Sequence, residues 1–364
     1  MRISEVDLYR YELPLAPPLC LGASTVEHRH GLLVRLETEQ GAVGWGEAAP
    51  LPGFSEETLS EVIDAARRRA PRWIGAEIPD GEKDLPRSFL ALPMRSACSA
   101  SLRFAIESAV LELLAATRNT SVPDVLGTAR STVALNALLT SLDDGPEQAA
   151  RFREQGYRAV KVKVGRADMG EEINALQAIR RDLGDAIALR ADANRAWSLD
   201  EAEAFAEATR DLQLAYVEEP LTDPTQISEL TSQTDLPVAL DETTREVEPS
   251  ILRESPSVAA VVLKPTLLGG IQTTQTWSRI ALEHGATPVI SASYESGIGM
   301  RMLVALAAVG PDTSVGLSTY TRLAADVQRP PLQMNGPEVY VESIVDAPIS
   351  INEDRIERID TFPS

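Results

Sequence analysis

The sequence AVKVKVG at residues 159–165 begins the series of apolar runs that decides the fold. Amphipathic stretches typical of helices separate these runs, among them 169–182, 199–210 and 271–284. Buried strands that alternate with helices form βαβ units and a parallel sheet. Seven or eight such units predict a closed (β/α) barrel. The other runs are VALNALL (133–139), IALRADA (187–193), LAYVEEP (214–220), PVALDET (237–243), AAVVLKPT (259–266) and TPVISAS (287–293).

The sequence before these units has a different pattern. Residues 1–47 consist of short runs in which polar and apolar residues alternate, which predicts an antiparallel meander. A helix is expected over 55–75, with Ser55 as its N-cap. A longer apolar helix is expected over 96–117, and the Pro-, Asp- and Gly-rich residues 76–94 between the two helices are predicted to form a loop.

The charge balance excludes several classes of partner. The chain of 364 residues has a formal net charge of -20 at pH 7, so it repels the phosphates of nucleic acids and anionic membrane surfaces. No run of about 18 apolar residues occurs, and the acidic, alternating N-terminus is unlike a signal peptide. We therefore expect a cytoplasmic protein that binds neither nucleic acid nor membrane. The oligomeric state is left open by the sequence.

Cysteine and histidine offer little material for a catalytic or metal site. Cys20 and Cys98 are the two cysteines, and both are expected to be reduced thiols. His28 and His30 fall in a segment that reads as a polar loop, and His284 ends a helical run before a glycine. A histidine-based metal site or a Ser-His-Asp triad is therefore disfavoured.

Lysine is rare in this chain, which makes its positions informative. Of 34 basic residues only Lys83, Lys161, Lys163 and Lys264 are lysine, and the rest are arginine. Lysine can lose its proton near neutral pH when its surroundings lower its pKa, whereas arginine cannot. Three of the four lysines lie in strand-like runs, which suggests a chemical role. The simpler alternative is protection of an edge strand against aggregation.

Charged side chains recur where the predicted strands end. Their spacing is 23 to 29 residues, about one strand, one helix and two connections. The carboxyl ends of barrel strands converge on one face, where three carboxylates would repel one another unless a divalent cation bound them. Oxygen ligands favour Mg²⁺ or Mn²⁺. Taken singly, each residue could instead be a turn, cap or strand-end residue. The set comprises Lys161, Lys163, Asp192, Glu218, Asp241 and Lys264.

The lysine positions also suggest a mechanism. Lys161 and Lys163 point to the same side of a strand, because side chains alternate along it. Lys264 follows a strand on the opposite side of the predicted barrel. Two amines flanking a metal-bound carboxylate could act as a general base and as a cation facing it. The metal would stabilise the enolate that forms when a proton is removed next to the carboxylate.

These motifs resemble the enolase superfamily, and within it the o-succinylbenzoate synthase family of menaquinone biosynthesis. The resemblance covers nearly the whole chain, and the segments 44–58 and 189–197 are its more specific part. The segments that carry it are GWGEAAPLPGFSEET (44–58), VKVKVG (160–165), LRADANRAW (189–197), VEEP (217–220), LDET (240–243), VLKPTLLGG (262–270) and ISASYESGIGM (290–300).

The resemblance implies an α/β fold in which an α+β capping domain covers a (β/α)7β TIM-like barrel. The capping domain is expected at residues 1–95 and the barrel at 96–325. Residues 326–364 are expected to return to the capping domain. The loops at 17–30 and 50–55 would close over a small-molecule carboxylate substrate, although the first of these departs from the family pattern.

The same resemblance implies a set of metal ligands. Asp192, Glu218 and Asp241 are expected to bind Mg²⁺, with Mn²⁺ as a possible substitute. Glu218 matches the ligand position of the EEP motif, and Glu219 would be secondary.

Roles for the lysines follow from the resemblance as well. Lys163 would remove a proton and then assist loss of hydroxide, and Lys264 would face the enediolate. Lys161 would lower the pKa of Lys163 by like-charge repulsion. The implied reaction is the syn dehydration of 2-succinyl-6-hydroxy-2,4-cyclohexadiene-1-carboxylate to 2-succinylbenzoate.

Three further residues match family positions near the substrate or metal. Ser291 and Gly316 correspond to strand ends near the succinyl part of the ligand. Arg190 matches a position beside a metal-binding strand, where a structural ion pair inside the barrel is the alternative interpretation.

Other functions remain open at this point. The main alternative is an N-acylamino acid racemase or dipeptide epimerase of the same superfamily, which would use both lysines in turn as acid and base. Epimerases often carry an acidic residue for the substrate's ammonium group, for which the segment after Lys264 offers Glu295. A non-catalytic barrel is disfavoured because the set of ligands and bases is complete. A sugar-acid dehydratase is disfavoured because no histidine follows His284.

Overall fold

The computed structural model describes residues 1–21, 24–79, 81, 88–89, 92, 98–139, 141–142 and 144–364. The strands are β1 (Ile3–Leu21), β2 (Ser24–Thr38), β3 (Val43–Ala48), β4 (Thr132–Ala134), β5 (Ala137–Leu139), β6 (Ala159–Lys163), β7 (Ala188–Asp192), β8 (Leu214–Glu218), β9 (Val238–Leu240), β10 (Val258–Leu263), β11 (Thr287–Ile290), β12 (Glu338–Tyr340) and β13 (Ile356–Pro363). The α-helices are α1 (Leu59–Trp73), α2 (Ala100–Arg118), α3 (Val122–Leu126), α4 (Gly145–Glu154), α5 (Met169–Leu183), α6 (Leu199–Thr209), α7 (Ile227–Gln233), α8 (Pro265–Leu268), α9 (Ile271–Glu283) and α10 (Gly297–Val309).

The predicted parallel sheet is confirmed. Strands β5 to β11 lie side by side in sequence order, and each pair is parallel. Most of their residues are buried because helices cover the outside of the sheet, as expected for a parallel sheet built from βα units. Helices α5, α6 and α9 match the predicted helical stretches to within about one residue at each end, which is the usual tolerance for helix boundaries.

A short extended segment at 315–316 links β11 to residues 134–136, which lead directly into β5, so that the strands form a ring. On one side, the backbone N–H of Val315 donates to the Ala134 carbonyl at 2.9 Å, and Asn136 donates to the Val315 carbonyl at 2.9 Å. On the other side, Gly316 donates to the Ile290 carbonyl at 2.9 Å. The chain therefore has the barrel architecture that the spacing of its apolar runs predicts.

A separate antiparallel sheet combines three strands that precede the barrel in the chain with one that follows it. Its strand order is β13-β1-β2-β3, which confirms the meander predicted for residues 1–47. The C-terminal strand β13 pairs with β1, with Pro363 opposite Glu5. One face of this sheet packs against α1 and α2, and its apolar residues are continuous with the main core.

Helix α2 approaches β3 closely because glycine occupies the facing positions. A Cβ on Gly46 would lie 1.7 Å from the Ala105 carbonyl oxygen, and a Cβ on Gly44 would lie 2.1 Å from that of Ala109. Neither distance is compatible with a side chain, so the backbones of strand and helix pack directly against each other. The alternation of glycine in the motif GWGE therefore has a packing reason.

Two local predictions for the first 60 residues are wrong. The first helix begins at Leu59 and is capped by Thr58, whose hydroxyl accepts from the N–H of Glu61 in a capping box. Ser55 instead accepts from the N–H of Leu51 at 2.9 Å. Residues 17–21 and 24–30, expected to lie in a loop, belong to strands β1 and β2. The pairing of these strands is interrupted after Pro14 and resumes from Leu19 to Leu21.

Other predictions are met only in part by the described residues. The second helix is present from Ala100 to Arg118, whereas residues 96–97 of its predicted start lie outside the described residues. Most of the loop predicted at 76–94 lies outside them as well. In the described part of the chain, no helix is both long and apolar enough to span a bilayer.

Candidate active site

The parallel register brings three of the predicted site residues into one row. Lys163 on β6 is the register partner of Asp192 on β7, which in turn is the partner of Glu218 on β8. Asp241 and Lys264 come directly after β9 and β10, the next two strands of the ring. The residues Asp192, Glu218 and Asp241 are at most 4% exposed. The strand ends therefore gather buried acids and amines at one end of the barrel.

Lys161 bridges two of these acids. Its Nζ lies 2.7 and 2.8 Å from the two carboxylate oxygens of Glu218 and 2.7 Å from Oδ2 of Asp192. Burial alone would lower the pKa of Lys161, but the charges of Glu218 and Asp192 outweigh burial, so its pKa lies well above the ordinary value. Lys161 therefore remains an ammonium group here.

Lys163 lies nearer the strand end and contacts a residue that the sequence did not single out. Its Nζ donates to Oδ2 of Asp192 at 2.6 Å and to the amide oxygen of Asn194 at 2.5 Å. Asn194 has a left-handed backbone, with φ 46°, a conformation that asparagine tolerates better than most residues. The DAN turn thus orients both the acid and the amine.

Lys264 forms an ion pair with Asp241, at the ends of β10 and β9. Its ammonium group donates to Oδ2 of Asp241. Burial would lower the pKa of Lys264, but the charges of Asp241 and Glu218 raise it above the ordinary value. Both Lys161 and Lys264 are therefore cations in this arrangement.

The pKa values of Asp192 and Glu218 shift in opposite directions from their ordinary values. Burial would raise the pKa of Asp192, but Lys161 and Lys163 overcome that effect and hold it well below its usual range. Burial and the neighbouring charge of Asp192 raise the pKa of Glu218 to about 8, against the pull of Lys161. Asp241 adds to the repulsion that Glu218 experiences. Three acids that influence one another in this way share one small electrostatic environment.

This donor set fits Mg²⁺ chemically. It consists of carboxylate oxygens alone, which Mg²⁺ prefers, and a dication would relieve the repulsion among Asp192, Glu218 and Asp241. Within the described residues, however, no three acidic, histidine or cysteine side chains are already arranged as a metal-binding group. Lysine ammonium groups occupy the carboxylate oxygens instead. Binding of the ion therefore requires the lysines to release at least one of these contacts.

Glu219 connects the loops that follow three strands. It accepts the backbone N–H of Asp241 at 2.7 Å and that of Thr243 at 2.8 Å. Arg195 donates to it at 3.2 Å and also binds Glu246. The second acid of the EEP motif thus holds the backbone on which Asp241 is mounted, which the sequence alone did not reveal.

The three expected substrate residues lie in different surroundings. Ser291 and Gly316 are bridge partners at the closure of the ring, and the Ser291 hydroxyl donates to the Gly316 carbonyl at 3.2 Å. Arg190 is buried inside the barrel, where it donates to the Ser314 carbonyl at 2.8 Å and lies over the ring of Tyr216. The contacts that the structure gives Arg190 are thus hydrogen bonds and ring stacking rather than an ion pair.

The antiparallel sheet β13-β1-β2-β3, called the capping sheet from here on, reaches the loops at the barrel strand ends through its β1–β2 hairpin. Arg322, which follows the ring closure, donates to the carbonyls of Pro17 and Pro18 at 3.0 and 3.1 Å. An apolar cluster joins the same elements to the segment after Lys264, and its buried members are Leu15, Leu19, Leu51 and Leu267.

Comparisons with known proteins agree with this architecture. Residues 145–348, more than half of the chain, match the family described as Enolase C-terminal domain-like. Residues 3–97 match the family described as MenC, N-terminal domain. Among solved structures, the N-succinyl Arg/Lys racemase from Bacillus cereus ATCC 14579 superposes with a TM-score of 0.84 at 21% identity, over 99% of this chain and 100% of that one.

Two curated relatives are similar in sequence. The o-succinylbenzoate synthase of Yersinia pseudotuberculosis serotype O:1b (strain IP 31758) is 34% identical, over 89% of this chain and 92% of its own. Protein PHYLLO, chloroplastic, of Arabidopsis thaliana is 30% identical over 88% of this chain, which spans only 21% of that longer protein. The chain therefore belongs to the enolase superfamily and to the sequence family of the o-succinylbenzoate synthases.

Proposed function

We propose that this protein is an o-succinylbenzoate synthase, which eliminates water from 2-succinyl-6-hydroxy-2,4-cyclohexadiene-1-carboxylate to give 2-succinylbenzoate. What supports the proposal is one feature of the site, the presence of amines on two arcs of the ring with buried carboxylates between them. The 34% identity to a synthase over most of both chains supports the same choice.

Lys163 and Lys264 carry the chemistry in this proposal. Lys163, in its neutral form, takes the proton from the carbon that bears the carboxylate, and the electron pair moves into that carboxylate to give an enediolate. The C–O bond to the ring hydroxyl then breaks, and Lys163 returns the proton to the departing hydroxide, which leaves as water. The ammonium of Lys264 faces the enediolate oxygens, and Lys161 stays protonated beside Lys163.

Asp192, Glu218 and Asp241 would hold Mg²⁺, or Mn²⁺ with the same oxygen ligands. When bound, the ion supplies positive charge beside the substrate carboxylate, which favours the enediolate. The role of the three residues is to hold that charge at the strand ends while Lys163 and Lys264 stay on either side of the substrate.

The remaining parts of the proposal concern the substrate contacts, the domain bounds and the location of the substrate in the cell. Ser291 and Gly316 would lie against the succinyl part of the substrate, and Arg190 would support the β7 strand from inside the barrel. Residues 1–95 would form the capping domain, 96–325 the barrel, and 326–364 the return segment. The substrate is a small carboxylate of the cytoplasm.

A racemase or epimerase is the second candidate, because the superposed Bacillus cereus structure is an N-succinyl Arg/Lys racemase. Lys163 and Lys264 would then exchange one proton on opposite faces of an amino-acid substrate. The residue expected to receive an ammonium group, Glu295, is buried and already accepts from the Thr266 hydroxyl at 2.6 Å. That engagement disfavours a substrate with a free amino group but leaves N-acylated amino acids possible.

An absorbance assay for consumption of the cyclohexadiene tests the proposal. We expect rapid turnover by the wild type and a loss of about a thousandfold or more for Lys163→Ala and Lys264→Ala, because each removes a group acting on the proton or the enediolate. Arg210→Ala, at an exposed surface ion pair, serves as the control and should match the wild type.

Deuterium exchange into N-succinylamino acids in D₂O separates the two candidates. Exchange without consumption of the cyclohexadiene would establish the racemase and end the proposal. Consumption that survives loss of Lys163 would equally contradict the assigned base.

A further inference from the structure

Arg29 lies buried at the junction of the capping sheet and the barrel, and it joins two separate loops. Its side chain is 1% exposed and extends from β2. On the capping side, Nη1 donates to the Pro50 carbonyl at 2.9 Å and Nη2 to the Ala49 carbonyl at 2.7 Å. On the barrel side, Nη2 donates to the Ser293 carbonyl and Nε to the Tyr294 carbonyl, both at 3.2 Å.

The barrel-side loop, residues 291–296, contains a strained backbone conformation that side-chain contacts must hold in place. Tyr294 has φ 64°, a left-handed conformation that costs a bulky residue about 1 kcal/mol or more and persists only where its surroundings hold it. Glu295 supplies part of this support, since it accepts from the Ser293 N–H at 2.5 Å and from the Thr266 hydroxyl. Thr266 lies two residues after Lys264, so the loop is fixed to the Lys264 segment on one side and to Arg29 on the other.

The capping-side loop continues directly into the apolar cluster above the strand ends. Ala49 and Pro50 precede Leu51, which packs with Leu267 in that cluster. Arg245 holds the same loop at its far end by donating to the Phe54 carbonyl at 2.5 Å. The position of residues 49–54 relative to residues 291–296 therefore depends on a small number of bonds, and Arg29 is the residue that reaches both.

The chemistry of the guanidinium suits this task. All four hydrogen bonds that the described residues give Arg29 end on backbone carbonyls. A planar fork with five donors can serve carbonyls in several directions at once, whereas a lysine ammonium offers three donors at one point. Removing the fork would leave buried carbonyl oxygens without partners, which is costly for both loops.

We propose that Arg29 is a positioning residue that sets the spacing of the loops 49–54 and 291–296 and, through them, the affinity for substrate. It touches no reacting atom. The inference rests on the proposed function for the location of the substrate, since Ser291 begins the barrel-side loop. Its effect should appear in KM more than in kcat, because the loops contact the non-reacting part of the substrate.

Backbone hydrogen exchange by mass spectrometry tests the positioning role without reference to any reaction. Arg301 provides a matched control, since it is also a buried arginine that donates to two carbonyls, those of Ile344 and Val345, at 2.7 and 2.5 Å. In Arg29→Met we expect faster exchange over both 49–54 and 291–296. In Arg301→Met the increase should be confined to the 342–346 region.

Steady-state kinetics with the cyclohexadiene then tests the consequence for substrate. We expect KM to rise about tenfold or more in Arg29→Met, with a smaller change in kcat, an intermediate rise in Arg29→Lys, and little change in Arg301→Met. If Arg29→Met does not fold, Arg29→Lys is compared with Arg301→Met in both measurements.

Unchanged exchange in either loop, or equal KM for Arg29→Met and Arg301→Met, would overturn the inference. A wild type that does not consume the cyclohexadiene would instead refute the proposed function, while the exchange data still decide whether Arg29 positions the two loops.

Discussion

Lys161 neutralises two buried carboxylates, which makes it a structural as well as a chemical residue. Its ammonium group contacts both oxygens of Glu218 and one of Asp192. A buried acid that loses its counter-ion destabilises the fold strongly, because the remaining charge is neither solvated nor paired. Lys163 also contacts Asp192, but the Glu218 carboxylate is bound by Lys161. Loss of Lys161 therefore leaves Glu218 without this partner, whereas loss of Lys163 does not.

Lys161→Met should therefore lower the free energy of unfolding by about 3 kcal/mol in metal-free buffer at a pH above 8, where Glu218 is ionised. Lys163→Met is the matched control and should lose less, because Asp192 retains Lys161. Urea denaturation followed by circular dichroism measures both. Addition of Mg²⁺ should recover part of the stability of Lys161→Met, since a cation again compensates the acids. Equal losses in the two variants would contradict this assignment.

The charged residues of the site could be predicted from the sequence, whereas their partners could not. Lys163, Asp192 and Glu218 stand out because each ends an apolar run at a regular interval. Asn194 and Arg29 carry no such signal. Their roles depend on which loops the folded chain brings together, and that information lies in the register between strands rather than in local sequence.

Helix α2 packs so closely on strand β3 that one added methyl group should destabilise their contact. Gly46→Ala should destabilise the protein severely, because its Cβ would lie 1.7 Å from the Ala105 carbonyl oxygen, a backbone atom that cannot rotate away. Gly310→Ala is the control, since its Cβ would make ordinary contacts of 3.5 Å at a φ of -79°. Thermal unfolding should show a large loss for the first and little for the second. A stable Gly46→Ala variant would refute the close packing of α2 on β3.

Helix α9 begins against a buried acid of α2, which gives its stability a pH dependence. Glu107 accepts the N–H groups of Ile271 and Gln272 at 2.5 and 3.1 Å. Burial raises the pKa of Glu107 to about 7, although these N–H groups and Arg103 oppose the shift. The folded protein therefore holds a proton at this site between about pH 4.5 and 7 that the unfolded chain releases.

Stability contributed by Glu107 should consequently fall as the pH rises through that window. Relative to Glu107→Gln, the wild type should lose up to about 3 kcal/mol of unfolding free energy between pH 4.5 and 7. Urea denaturation of both proteins at several pH values measures the difference, and all other titrating groups cancel in the comparison. A difference that stays constant or grows in favour of the wild type would show that Glu107 is ionised throughout.

Helices with regular apolar spacing were predictable to about one residue, but helix starts and long hairpins were not. The first helix is capped by Thr58 rather than Ser55 because only Thr58 has a glutamate three residues later, a signal that the sequence does contain. Residues 17–30 resemble a loop in composition, with Pro17, Pro18 and two histidines. Leu19, Cys20 and Leu21 are nevertheless strand residues because they pair with Val26, Thr25 and Ser24 across the hairpin, and pairing of this kind overrides local preference.

At the scale of the whole molecule, the sequence predicted the barrel but not how it closes. The seven strands each have an apolar run, whereas the closing segment is as short as Val315 and Gly316 and reads as a loop. Gly316 is suited to this position, since a Cβ there would lie 2.5 Å from the Ser291 hydroxyl. The closure is visible only when the strands on both sides are in place.

The pairing of β13 with β1 has a consequence for how the protein is made on the ribosome. Strand β1 emerges before the barrel strands, whereas its outer neighbour β13 (Ile356–Pro363) emerges after them. During synthesis one edge of β1 is therefore open to pairing with another nascent copy until β13 has been translated.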